Sequence, residues 1–129
     1  NHSHTHRDLT TLSFTEIKKD LTKCHNFIEK TYGVDARPYF RAPFGTLNSG
    51  VISAAAEIGY TKPIAWSGSL VDTQNQSTRR LLYHAENSFQ DRDIVLSHAN
   101  NLVVSKNFDA LMEIVNARNL SLVTLNDVF

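Results

Sequence analysis

The sequence predicts an α/β fold built on a parallel sheet or barrel, and three observations predict it. Short apolar stretches bounded by turn residues alternate with amphipathic helical stretches along the chain. The helical stretches carry their own start and stop signals. The most apolar stretch, Ile94-Val95-Leu96, is unbroken by polar residues, as in a strand covered on both faces. In such folds the side chains that do chemistry gather at the carboxyl ends of strands.

The first element is a helix over SFTEIKKDLTKCHNFIEKTYG. Ser13 and Glu16 form a capping box, Ile17, Leu21, Cys24 and Ile28 recur at helical spacing, and Gly33 ends it. PYFRAP then reads as a short strand leaving Pro38, followed by a turn at Gly45. Asn48 or Ser49 can cap a second helix, VISAAAEIGY, closed by Gly59. TKPIAW is a second short strand running into the loop SGSLVDTQNQ. STRRLLYHAENSF is helical with Ser77 as its cap, and DIVLSHA is a buried strand ending at Ser97 and His98. SKNFDALMEIVNARN is a helix with Phe108, Leu111, Met112 and Val115 on one side. SLVTL is a final strand and NDVF begins a last turn.

A chain of 129 residues is one domain at most, and long enough to bury about two thirds of its unfolded surface. Thirteen basic residues balance thirteen acidic ones, which leaves no basic face for nucleic acid. No apolar run is long enough to span a bilayer. Cys24 is the only cysteine, so an internal disulfide and thiolate-rich zinc sites are both excluded.

Three of the six histidines lie within NHSHTHRDL. On a helical turn His2 and His6 share a face, and on an extended segment His2, His4 and His6 all do. Either geometry suits zinc or another first-row metal. The alternative is a solvated terminus or a tag remnant, although a tag is usually an unbroken histidine run. Arg41 lies in RAPF, where Pro43 stiffens the turn and frees the following amides to meet a ligand. Taken singly, Arg41 reads as a structural clamp, His98 as a satisfied core histidine and Asp72 as a solvated turn residue. His25 and His84 read as surface residues, Tyr32, Tyr39, Phe40 and Phe44 as core and rim packing, and Trp66 as either packing or contact.

The order of these motifs is more specific than any one of them. H-S-x-x-H, a long capped helix, R-x-P-F-G, W-S-x-x-x-x-D and V-L-S-H together resemble the polysaccharide deacetylases, carbohydrate esterase family 4, with its NodB-homology domain. The resemblance runs from Asn1 to Phe129, and SLVTLNDVF is similar to the family's last strand and helix. It implies a distorted (β/α) barrel, of which this chain would be the larger C-terminal part.

The resemblance also implies roles. His2 and His6 would hold a catalytic divalent metal, most often zinc, with cobalt as another first-row option. Ser3 would support their loop and His4 would stand by. Arg41 would orient the catalytic base, and the amide of Phe44, after Pro43, would stabilise an oxyanion. His98 would be the general acid and Asp72 its partner. Leu96 would line the acetyl pocket, and Trp66 would contribute to the substrate cleft. The reaction would remove acetyl groups from an N-acetylglucosamine polymer such as chitin or peptidoglycan, or from acetylated xylan. The alternative is an inactive carbohydrate-binding relative. A secreted or envelope location would follow.

Two departures qualify the likeness. Where the family usually reads D-x-x-D-W, this chain has Ser69-Leu70-Val71-Asp72-Thr73, so the tryptophan wall is missing. The family's T-F-D-D-G motif, source of the base and the third metal ligand, does not occur. The expectation is a domain truncated at its N-terminus and completed by a companion polypeptide that carries the motif.

Overall fold

A computed structural model describes residues 1–129. It contains two compact units, Asn1–Ala65 and Trp66–Phe129. Each is built around a parallel βαβ crossover, the pattern that alternating strands and helices predict.

In the first unit, helix α1 (Phe14–Tyr32) has the complete Ser13–Glu16 capping box. It ends at Gly33, whose φ of 67° is the left-handed conformation that favours glycine at a helix C-cap. Strand β1 (Tyr39–Phe40) pairs in parallel with β2 (Lys62–Pro63), and helix α2 (Ser49–Ala56), capped by Asn48, connects them. Leu9, Ile17, Leu21, Phe40, Val51, Ala54, Ala55 and Tyr60 form the core between the pair and the two helices. Gly59 has φ 90°, and a Cβ there would lie 2.7 Å from Cδ of Arg37, so both conformation and space call for glycine.

In the second unit, β3 (Gly68–Ser69) pairs in parallel with β4 (Val95–Leu96) through helix α3 (Thr78–Ser88), capped by Ser77. Leu70, Leu81, Ala85, Val104 and Leu111 form its core. Helices α4 (Leu102–Lys106), α5 (Phe108–Ala117) and α6 (Leu125–Val128) complete the chain. No helix is long and apolar enough to cross a membrane.

Several elements depart from the sequence expectation. The Ile94–Leu96 run is half-exposed rather than buried, and only Val95 and Leu96 pair, with β3 alone. β3 itself lies inside the expected loop. The helix expected from Ser105 starts earlier, because Asn101 caps Leu102, and it is interrupted at Asn107. That break is local chemistry: Nδ2 of Asn107 donates to the carbonyl of Val103 at 2.7 Å, competing with the regular ladder. Phe108, expected on the packed side, is exposed, whereas Leu111 and Val115 are buried. SLVTL is not a strand: it has no ladder partner, and Leu122 and Val123 are 70% and 62% exposed.

Candidate functional site

Two clusters hold the predicted residues, one in each unit. In the first, the loop before α1 turns sharply enough to bring two imidazoles together. Ser3 and His6 take positive φ of 64° and 54°, costly for residues other than glycine unless the surroundings hold them. They are held. Oγ of Ser3 accepts the His6 amide at 3.0 Å, and Oδ1 of Asn1 accepts the Ser3 amide at 3.0 Å. The His2 and His6 rings then meet edge to face at 5.0 Å between centroids.

His2 is pinned through Nδ1, which lies 2.6 Å from the carbonyl oxygen of Arg41. A carbonyl can only accept, so Nδ1 carries the proton and Nε2 keeps its lone pair. That arrangement is common to metal-binding imidazoles, which donate their second nitrogen to a carbonyl or carboxylate. Burial lowers the pKa of His2, and the charge of Arg41 adds to this, while the carbonyl bond pulls the other way. The net effect favours the neutral ring that a metal needs. His4 points no ring into this cluster's contacts; it is exposed, and it takes part through its amide.

The RAPF turn lies against the same pair. Arg41 is half-buried, and its amide donates to the carbonyl of Asn1 at 2.9 Å, which joins β1 to the histidine loop. Pro43 is buried, and Phe44 takes φ 59°. The Phe44 ring packs edge-on against His6 at 4.9 Å between centroids. Sequence reasoning read the Phe44 ring as core or rim packing and its amide as an oxyanion donor; the 64% exposed ring forms the rim of the histidine pair. Asp8 ties the turn down, with its Oδ1 accepting the Thr46 hydroxyl at 2.9 Å.

The donor set suits a first-row divalent ion but is short. No group of three or more His, Cys, Asp or Glu side chains is placed to share one ion. Two imidazoles are therefore what this chain offers, where catalytic zinc sites have three protein ligands.

The second cluster stands at the end of β4. Asp72, which taken singly reads as a solvated turn residue and by the resemblance as the partner of His98, is 1% exposed. Its Oδ1 lies 2.7 Å from Nδ1 of His98, and its Oδ2 accepts the His98 amide at 2.6 Å and the Ser97 hydroxyl at 3.1 Å. Asn101 Nδ2 donates to the Asp72 carbonyl. Burial raises the pKa of Asp72, but the bonds from His98 and Ser97 outweigh it and hold the carboxyl below its ordinary value. An ionised Asp72 fixes His98 with its proton on Nδ1, leaving Nε2 outside that hydrogen bond. Val71, just before, has φ 51°, an outlier for a β-branched residue and a mark of a constrained site. Leu96 and Trp66 are half-buried in this unit, at the end of β4 and just before β3.

Sequence reasoning missed two kinds of partner. Ser97 and Asn101 flank Asp72, and the run S-H-x-x-N after an apolar strand is the signal that could have found them. His25, expected at the surface, has a side chain only 13% exposed, with Nδ1 3.0 Å from the Tyr60 hydroxyl. His84 is likewise half-buried, with Nε2 enclosed and without a hydrogen-bond partner.

Comparison with known proteins assigns this frame. The sequence model of the polysaccharide deacetylase family matches residues 1–63. An uncharacterised 30.6 kDa protein of Geobacillus stearothermophilus is 30% identical over 118 residues, 89% of this chain and 43% of its own length. Peptidoglycan-N-acetylmuramic acid deacetylase PdaA of Bacillus subtilis is 31% identical over 85 residues, 64% of this chain and 32% of its own length. Among solved structures, BA3943 of Bacillus anthracis, a CE4 family pseudoenzyme, superposes with a TM-score of 0.89 at 23% identity, over 99% of this chain and 44% of its own. The family 4 carbohydrate esterase of Streptomyces lividans gives 0.87 at 20% identity, over 97% of this chain and 64% of its own. The chain thus spans less than half the length of the Geobacillus and Bacillus subtilis relatives. Residues 1–63 thus carry polysaccharide deacetylase sequence, and the fold of the chain is part of the (β/α) barrel of carbohydrate esterase family 4.

Proposed function

We propose that this chain supplies part of the active site of a metal-dependent deacetylase acting on an N-acetylglucosamine polymer, chitin or peptidoglycan. The observation that carries the reading is the buried Asp72 holding His98 by its Nδ1 at a strand end. That geometry builds a general acid: one nitrogen is fixed and the other is left to give a proton.

His2 and His6 would hold the divalent ion, zinc or cobalt. When bound, the ion supplies polarisation of the acetyl carbonyl and a more acidic water. The carboxylate base takes a proton from water as the water oxygen bonds to the acetyl carbon, the carbon–nitrogen bond breaks, and His98 gives its Nε2 proton to the departing nitrogen. Acetate and a free amine result. Nδ1 stays on Asp72, so the proton that is given is the one on Nε2. The Phe44 amide makes no hydrogen bond within the chain and serves as an oxyanion donor. Arg41, a permanent cation, orients the carboxylate base. The base and the third ligand would come from outside residues 1–129. The substrate lies outside the cell membrane, so the enzyme works in the envelope or beyond it.

A second reading is an inactive carbohydrate-binding relative. What favours it is that the same fold occurs in BA3943, a CE4 family pseudoenzyme. Acetate release by the full-length protein from chitin oligomers, peptidoglycan and acetylated xylan, with zinc or cobalt, separates the readings. Release from the first two supports the proposal, and release from xylan alone makes the protein an ester hydrolase. Glycan binding without release from any of the three favours the inactive relative. His98→Ala should lower turnover about 10²–10⁴-fold with bound metal unchanged. His2→Ala should lose metal and activity together.

A further inference from the structure

Asp20 is an unusual residue for its place. It lies in the interior of α1, one residue from Leu21 and three from Ile17, both buried in the core, and is itself 9% exposed. Aspartate is a poor helix former, and a buried carboxylate is costly unless its oxygens are satisfied. An apolar side chain would serve the helix better. What satisfies Asp20 is not the helix but the histidine loop: Oδ2 accepts the His4 amide at 2.9 Å and the Thr5 amide at 3.5 Å. Those amides lie midway between His2 and His6, inside the segment bent by positive φ at Ser3 and His6.

We propose that Asp20 is a positioning residue that sets the spacing of His2 and His6 and thereby the geometry of their metal. The inference rests on the metal reading of the two histidines. Asp20 touches neither ring, so it acts through the backbone they share. The core contacts of Ile17 and Leu21 fix where its carboxylate stands, and two amides transmit that position to the loop. Ser3 closes the turn locally, whereas Asp20 alone links its middle to α1.

The test compares wild type, Asp20→Ala and Asp20→Asn in the full-length protein, titrated with Co²⁺ and followed by its ligand-field absorption. Asp20→Ala should bind Co²⁺ about ten-fold or more weakly, with altered absorption bands. Asp20→Asn still offers an oxygen to the two amides and should restore the wild-type bands. Unchanged affinity and spectrum in Asp20→Ala would overturn the proposal, as would an Asp20→Asn as impaired as Asp20→Ala. If Asp20→Ala fails to fold, Asp20→Asn decides alone: wild-type bands support the proposal, and altered bands overturn it. If wild type takes up no Co²⁺, the metal reading fails. Asp20 is then judged by exchange of the His4 and Thr5 amides and by the His2–His6 ring contact in NMR spectra. Both should be lost in Asp20→Ala and kept in Asp20→Asn; no change on removing the carboxyl would overturn it.

Discussion

Asp72 accepts three hydrogen bonds on its carboxylate while almost fully enclosed, and this gives it a pH signature. Its folded pKa is lowered, and an unfolded aspartate titrates at about 3.9. Between those values the unfolded chain binds the extra proton, so stability falls as pH falls. The contribution of Asp72 is complete above about pH 5 and fades as pH drops through 4 towards the folded pKa. Asp8, Glu16, Asp20, Asp35 and Asp127 are lowered as well, so the total slope does not isolate Asp72. A comparison with Asp72→Asn does. Urea midpoints measured from pH 3 to 6 should converge for the two proteins at the acid end; a constant offset would show that the ionised carboxylate is not what stabilises. The residue scale is also where sequence reading reaches least far. Asp72 and His98 are 26 positions apart, and only the β3–β4 pairing brings them within 2.7 Å. The motif order named both residues, but Ser97 and Asn101 become partners only once that pairing exists.

Elements were legible in proportion to how local their causes are. Helices α1, α2 and α3 begin at Ser13, Asn48 and Ser77, each with a side-chain oxygen accepting the amide three residues on. Caps and glycine stops act within a few residues and can be read directly. Strands depend on partners distant in sequence, so the apolar runs mark candidate strands but not which of them pair or how far. The two-residue ladders and the unpaired SLVTL follow from that non-local dependence. A cap's worth can be measured. Ser13→Ala removes the acceptor for the Glu16 amide and one half of the reciprocal box, at a cost of about 0.5–2 kcal/mol. The urea midpoint should fall with no change in its slope. Because Ser13 is exposed, no cavity adds to the cost, and a larger loss would point to a role beyond capping.

At the scale of the whole molecule, the two units have separate apolar cores, one around Leu21 and one around Leu81, each of these leucines fully buried. Replacing either with alanine removes a side chain that packing cannot replace, a loss of about 2–5 kcal/mol. Amides that open together report the cooperative unit to which they belong. Leu21→Ala should therefore speed exchange first at α1 and α2, and Leu81→Ala first at α3 and α5, because each cavity weakens its own core. Hydrogen exchange followed by mass spectrometry resolves the segments. Acceleration of both segment sets to the same degree by either substitution would mean that the chain opens as one cooperative body. Confinement of each effect would mean that the His2–His6 cluster and the Asp72–His98 cluster are stabilised by different cores. Activity could then be lost through either core without a change in any residue that meets the substrate.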